Sequence, residues 1–225
     1  MIKPDKVVLA NRKTLTLKID KNGKLIVMAP KKMPLEQVFK FINEKENWII
    51  KKQTEITSTK NLNNDLFNYN SVLFLGKKYE VIFIKNQKEI TLTNNALCVP
   101  YSYNLSTEKL SKALKNWYTL NANKLLVDRF NEINKVVKLS FNNLHIINSR
   151  AKWGMCDNKR NIYLNYKMIM LPHNLIDYII VHELMHLIEL NHSKNFWAEV
   201  KKILPDYKDR QKLLKQCNFV LEIFI

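Results

Sequence analysis

His182-Glu183-Leu184-Met185-His186, followed after five residues by His192, is the stretch on which the reading of this 225-residue sequence turns. The first two histidines stand four apart, which on a helix is ~40° around the axis and one turn along it, so both imidazoles reach a single ion. Neutral imidazole suits Zn²⁺, and three protein ligands leave a fourth tetrahedral position for water. Glu183 projects beside His182 without being a ligand, which is where a carboxylate can take the proton of an activated water. With five histidines and twelve glutamates in the chain, random order would produce HExxH with a probability of roughly 0.006. Three of the five histidines fall in eleven residues, so chance is a poor account of the motif.

His192 is the expected third ligand. Its spacing from His186 equals that of HExxHxxGxxH, whose glycine lets the chain turn back sharply, but Glu189 holds the glycine place here. Asn191, which tolerates left-handed backbone, is then expected to end the helix and swing His192 toward the metal. Glu189 and Glu199 are rival oxygen ligands, in the manner of sites built from two His and one Glu.

The rest of the chain frames this helix. Residues 14–20 and 24–29 are β-rich runs around Asn22-Gly23, a hairpin signature. Pro34 opens a helical pattern (Val38, Phe41, Ile42, Ile49, Ile50) running to about residue 56, and residues 57–71 read as a polar loop. Short strands follow over 72–99, punctuated by Gly76 and Asn94-Asn95. A second helix is expected from Ser106, whose hydroxyl can cap it, to about Asn134. Leu144–Ser149 and Asn161–Tyr166 read as strands with the polar turn Asp157–Arg160 between them. From Pro172 the pattern is helical again, with Asn174 as the expected cap and Ile176, Ile179, Ile180, Leu184, Leu187 and Ile188 as the apolar face.

Composition removes whole classes. Average usage of ~7% would give roughly sixteen glycines. The chain has three, too few for a glycine-rich phosphate loop or a dinucleotide fingerprint. Cysteines 98, 156 and 217 support neither a disulfide framework nor a CxxC metal knuckle. Without an apolar leader or a membrane-length apolar run, the sequence reads as a cytoplasmic protein with no membrane partner. The formal charge of +17 makes nucleic acid a possible partner. Residues 1–110 carry +9 and residues 111–225 carry +8, however, so the excess marks no particular surface.

Ser149-Arg150-Ala151-Lys152-Trp153-Gly154-Met155-Cys156, Asn161-Ile162-Tyr163-Leu164-Asn165, Val181–Leu187, Asn191-His192-Ser193, Phe196-Trp197 and Leu204-Pro205-Asp206-Tyr207 together resemble the YgjP-like metallopeptidase family, related to the WLM and SprT-like zincins. The match is specific from about residue 148 to 210, and looser upstream at Arg12, Ala29-Pro30, Trp48 and Gly76–Tyr79. The resemblance implies a zinc-dependent hydrolase with His182, His186 and His192 as ligands and Glu183 as catalytic acid/base. Lys152 and Met155 stand where the family usually has Arg and Ser.

The expected architecture is α+β: a mixed N-terminal half over 1–105, positioning substrate or regulating the site, then a zincin-like catalytic domain over 106–225. The expected activity is hydrolysis of a peptide or protein substrate by a zinc-activated water, with the strand at 161–166 as the edge on which an extended peptide lies. The alternative is a DNA-associated basic protein, including a protease acting on DNA-bound proteins, as some WLM and SprT-like relatives do. Arg150, Lys152, Tyr163, His173 and Tyr207 are candidate donors to an oxyanion. Trp153 and Trp197 read as packing residues, His145 as structural and Cys156 as an inert or redox-sensitive thiol. Gly154, beside a bulky aromatic in a chain this poor in glycine, reads as a bulge or a close backbone approach.

Overall fold

The computed structural model describes residues 2–20, 22–54, 56 and 69–223. Most of the polar loop expected at 57–71 lies outside them. The fold is α+β, and the chain forms two compact units, Met1–Asn64 and Asp65–Ile225.

In the first unit, β1 (Lys6–Ala10), β2 (Thr16–Ile19) and β3 (Leu25–Pro30) form a sheet of order β1-β3-β2, with β3 parallel to β1 and antiparallel to β2. The hairpin is the expected one. The Asp20 carboxylate accepts from the N–H groups of Asn22 and Lys24, and Gly23 supplies the positive φ of 81°. Alternation along β3 puts Leu25, Val27 and Ala29 on one face, where they meet Val38 and Ile42 of α1 (Leu35–Glu44) and Ile49 of α2 (residues 46–54). The single helical run expected over this stretch is interrupted at Lys45, whose φ and ψ are −104° and 11°.

The second unit opens with β4 (Ser71–Phe74), β5 (Lys77–Ile84), β6 (Thr91–Leu92) and β7 (Ala96–Pro100), in the order β4-β5-β7-β6. Helix α3 (Thr107–Val137) starts where Ser106 Oγ accepts from Lys109 N–H. It runs past Asn134 and ends at Lys138 in a left-handed conformation, its Leu110, Leu114, Tyr118, Ala122, Leu126 and Phe130 buried at a spacing of four. Next come β8 (Leu144–Ile147), β9 (Gly154–Cys156) and β10 (Ile162–Asn165), then α4 (His173–Met185), α5 (Lys194–Ile203) and α6 (Tyr207–Gln216). Short 3-10 turns lie at Tyr166–Met170 and Asn218–Glu222.

Residues 69–105 belong to this second unit rather than to an N-terminal half ending at 105, because their backbone is bonded into it. The two-residue turn Leu75-Gly76, both at positive φ, donates its N–H groups to the carbonyls of Ile169 (2.7 Å) and Met170 (3.2 Å). The buried Tyr118 hydroxyl of α3 donates to Leu73 O. A Cβ added at Gly76 would come within 2.7 Å of Pro172 Cβ and 2.9 Å of its Cα, so the turn is seated directly on the start of α4.

Helix α4 is apolar almost all round, with Leu175, Ile176, Tyr178, Ile179, Ile180, Val181, Leu184 and Met185 buried, as befits a helix wrapped by other elements. It has no side-chain cap: Pro172 is the N-cap residue, and its carbonyl accepts from Leu175 and Ile176. Asn174 does not cap it. Arg129 of α3 grips Asp177 through two hydrogen bonds of 2.6 and 2.8 Å, tying the two helices together in the bidentate geometry that suits guanidinium and carboxylate. Among the described residues no helix is long and apolar enough to cross a membrane.

Two predictions follow the packing. Gly76→Ala should lower stability by about 2–3 kcal/mol, because it combines overpacking against Pro172 backbone with a left-handed residue. Gly23→Ala, whose Cβ meets nothing within 4 Å, should cost only about 1 kcal/mol. Denaturant midpoints of the two variants measure the contrast. Lys167 is wholly buried, and burial, aided by Lys115 and Arg150, pushes its ammonium down to about 8 from 10.5. Between those values the unfolded chain holds the proton that the folded one has released, so this group makes stability rise with pH across that window. Lys167→Met should flatten the rise, as read from denaturation midpoints at pH 8 and 10.

Candidate metal centre

Helix α4 delivers His182 and Glu183 on its last turn, and His186 is its C-cap residue. The chain then closes the helix with Leu187 N–H to Leu184 O, Ile188 N–H to Met185 O and Glu189 N–H to Met185 O, each 3.0 Å. Ser193 N–H bonds Asn191 O, and Ser193 Oγ caps α5 by accepting from Phe196 N–H. Among the described non-glycine residues, positive φ occurs at Tyr69, Leu75, Asn86, Lys138 and Arg160. Asn191 is therefore not left-handed, contrary to the expectation. A tight turn of 3-10 type replaces both the glycine and the left-handed residue.

This turn brings His192 back over the helix. The ring centroids of His182, His186 and His192 lie 4.7 to 4.9 Å apart, and their candidate ligand atoms all fall within 4.8 Å of one another. His192 Nε2 stands 2.9 Å from His182 Nε2. His186 Nδ1 faces the Glu189 carbonyl at 3.0 Å and must donate to it, which leaves the Nε2 lone pair free for a cation. Burial and the neighbouring imidazoles push His182 down to about 3, keeping it in the neutral form a metal requires. Its Nδ1 is buried without a hydrogen-bond partner among the described residues. Three imidazoles converging on one point suit a metal ion such as Zn²⁺. Glu189 takes part through its backbone carbonyl, and the Glu199 carboxylate is paired with Lys202 at 2.6 Å, so neither glutamate joins the cluster.

An aromatic wall holds the rings. Fully buried Phe196 lies 4.6 Å from His186, 4.8 Å from His192 and 5.0 Å from His182. Trp197 stacks on His192, and Tyr207 stacks on Trp197 at 5.2 Å and 14°. Trp197 is thus a packing residue as expected. Sequence reading gave Phe196 no role, although its place three residues after the cap Ser193 fixes it on the inner face of α5.

Glu183 is only 6% exposed, and burial pushes its carboxyl up to about 8 against the pull of the Lys152 ammonium. It lies against β9: a Cβ at Gly154 would come within 2.7 Å of both Glu183 Cγ and Oε1. Gly154 is the close approach that its context suggested. The sheet around it corrects another expectation. Its order is β8-β10-β9, with β10 parallel to β8 and antiparallel to β9, so β10 is the central strand and β9 is the edge beside the histidines. At three residues, β9 is too short to show an alternating pattern.

A cleft runs along both sides of Glu183. One arm is lined by Met155, Cys156, His186 and His192, the other by Trp153, Tyr178 and Leu214, and Lys152, Gly154 and His182 border both. Tyr163, His173 and Arg150 are not among the residues that line it. Tyr163 donates to the Asp157 carboxylate and stacks on His145, and His173 opens α4 nine residues before His182, ~13 Å along the axis. Arg150 acts as a like charge on Lys167, and Trp153 packs with its indole N–H on Asn218. The Cys156 thiol is pushed up, mainly by burial and then by Glu183, and stays protonated.

Residues 13–217 match the family model of the YgjP-like metallopeptidase domain, most of the chain's length. The protein belongs to the YgjP-like metallopeptidases. No curated protein matches it. Among solved structures, the metallopeptidase zymogen abylysin from Pyrococcus abyssi is similar at 22% identity and a TM-score of 0.37, over 40% of this chain and 91% of that one.

Gly154→Ala should drive the new methyl into Glu183 and reduce peptidase turnover by about 100-fold, the scale of loss that a ~1 Å displacement beside a cleft can cause. Bound metal should stay stoichiometric, because the atoms nearest the added methyl all belong to Glu183. Steady-state kinetics beside metal analysis by mass spectrometry checks both.

Proposed function

We propose that the chain is a zinc-dependent peptidase in which His182, His186 and His192 hold the ion and Glu183 is the general base and acid. The convergence of three imidazole nitrogens within 4.8 Å, beside a buried carboxylate, carries this reading. A Zn²⁺ in that set supplies the Lewis acid that polarises a scissile carbonyl and acidifies water. Glu183 takes the proton of the attacking water on its carboxylate and later passes it to the leaving amine. Its buried setting lifts its proton affinity toward neutrality, which suits a group that must both accept and donate. Lys152, at the junction of the two arms, favours the ionised form that accepts the proton.

The substrate is an extended peptide or protein segment paired along the outer edge of β9, replacing the edge role expected of 161–166. Main-chain pairing there is indifferent to sequence, so side-chain preference falls to the arm lined by Trp153, Tyr178 and Leu214. The role of positioning substrate or regulating the site, expected of residues 1–105, is here proposed for the unit Met1–Asn64, and three free cysteines suit a reducing cytoplasm. The family match adds nothing for the nucleic-acid alternative, and the site gives no reason to prefer it.

Metal analysis of wild type, His192→Ala and Glu199→Ala should give one zinc per chain for the first and last, with affinity lost in the His192 variant. Stoichiometric, equally tight zinc in His192→Ala would refute the ligand set. Glu183→Gln should keep its zinc and lose about 10²–10⁴-fold in turnover of a peptide library followed by mass spectrometry. Wild-type turnover retained in that variant would refute the acid/base role.

A further inference from the structure

Gly154 is held against Glu183 by a loop, residues 149–153, whose carbonyls are gripped from below by one fully buried side chain. Asn165 Nδ2 donates to Ser149 O and to Lys152 O, each at 2.8 Å, while Asn165 N–H donates to Trp153 O at 2.9 Å. Its Oδ1 accepts from Lys167 N–H at 3.1 Å. Two residues on from Asn165, the buried Lys167 reaches in a different direction: Nζ donates to Leu221 O at 2.6 Å, fixing the short turn Asn218–Glu222. From that same turn Asn218 Oδ1 accepts the indole N–H of Trp153 at 3.0 Å. Val220, Leu221 and Ile223 are buried beneath it. The polar bonds therefore close a ring: loop 149–153 to Asn165, to Lys167, to Leu221 and Asn218, and back to Trp153, whose neighbour is Gly154.

A buried ammonium spent on a single turn is costly, and a ring of buried polar groups is tolerated when its members satisfy one another. Here the ring encloses the backbone that sets the one close approach to the reacting carboxylate. We infer that the Asn218–Glu222 turn is a positioning element for Glu183, acting through the Trp153 indole and the Gly154 backbone. The turn lies just beyond residues 13–217, the part of the chain that the family model matches, while Trp153, Asn165 and Lys167 lie within it. The hydrogen bond between Trp153 and Asn218 involves neither the histidines nor the carboxylate itself. Their effect is expected on the proton-transfer step and not on metal holding, and for Asn218, which is not among the residues lining either arm of the cleft, not on substrate binding.

The inference rests on the acid/base role proposed for Glu183, and the test separates the two. Asn218→Leu removes the acceptor, and Trp153→Phe removes only the indole N–H while keeping an aromatic packing residue, so that one folded variant is secured. On the library peptide cleaved fastest by wild type, Asn218→Leu should lower kcat by about 10-fold or more with KM within about twofold, Trp153→Phe should lower kcat likewise, and both should keep zinc affinity within about twofold, as expected for a displaced reacting group. Asn218→Asp, which retains an acceptor, should restore most of the rate. In a Glu183→Asp background the same substitutions should have little further effect, since residues acting through one another are non-additive. A crystal structure of Asn218→Leu should show the Glu183 carboxylate moved relative to Gly154 by about 1 Å. Unchanged kcat, a loss equal in both backgrounds, a loss that tracks zinc content, or an unmoved carboxylate would overturn the positioning role. If Glu183→Gln itself keeps wild-type turnover, the failure lies in the acid/base assignment instead, while the crystallographic comparison still decides whether the turn places the side chain.

Discussion

A carboxylate among the apolar faces of a helix like α4 is out of place by every rule of burial, and the second unit of this protein is arranged around keeping it there. Glu183 is the acidic group in a run of buried aliphatic and aromatic side chains, and burial alone moves its proton affinity by several orders of magnitude. The backbone of β9 must approach it without a side chain, which only glycine allows. The histidines must converge next to it, which needs the chain to reverse directly after Met185. Lys152 must stand close enough to offset part of the desolvation. Each of these demands falls on a different element, and the elements are cross-braced accordingly: α3 to α4 through Arg129 and Asp177, β4–β5 to α4 through Gly76 and Pro172, the 149–153 loop to the sheet through Asn165.

Much of this was legible in the sequence where spacing and chemistry coincide. HExxH with a following histidine states its own geometry, because four residues is one helical turn and ligand chemistry tolerates few substitutes. Asn22-Gly23 announced its hairpin and Ser106 its helix, since a positive φ and a hydroxyl cap are local needs met by local residues. Gly154 was conspicuous because the chain uses so few glycines.

What was not legible depended on tertiary context. Asn174 carries a good capping side chain, yet α4 begins against Gly76 with Pro172 as its cap residue. The turn after His186 was expected to need Asn191 in a left-handed conformation; three backbone hydrogen bonds back to the last helical turn do the same work. Strand β9 is three residues long and owes its existence to pairing with β10, so no periodicity could reveal it, and with it went the identity of the edge. The compact unit begins at Asp65 and not near 105 because the β4–β5 turn is bonded to residues nearly a hundred positions later, a relation that composition does not encode. Phe196 could have been found from its place after Ser193, had the inner face of α5 been drawn.

The seating of Leu75-Gly76 on Pro172 also makes α4 a ruler. Its start is fixed by an adjacent turn, and its end by the reversal that carries His192, so the thirteen residues between have a set length and a set rotation. One residue inserted between Pro172 and His182 would turn the pair His182-Glu183 by ~100° and advance it by ~1.5 Å, pointing the carboxylate into the hydrocarbon of a neighbouring helix or sheet. An added residue in the turn Asp157–Arg160 would leave the register of α4 alone, and its effect would run instead through Arg160, which donates to Leu187 O in the reversal and to Ser140 O. Tolerance to length change should therefore be uneven along the domain and lowest ahead of the motif, where a single residue re-aims the carboxylate.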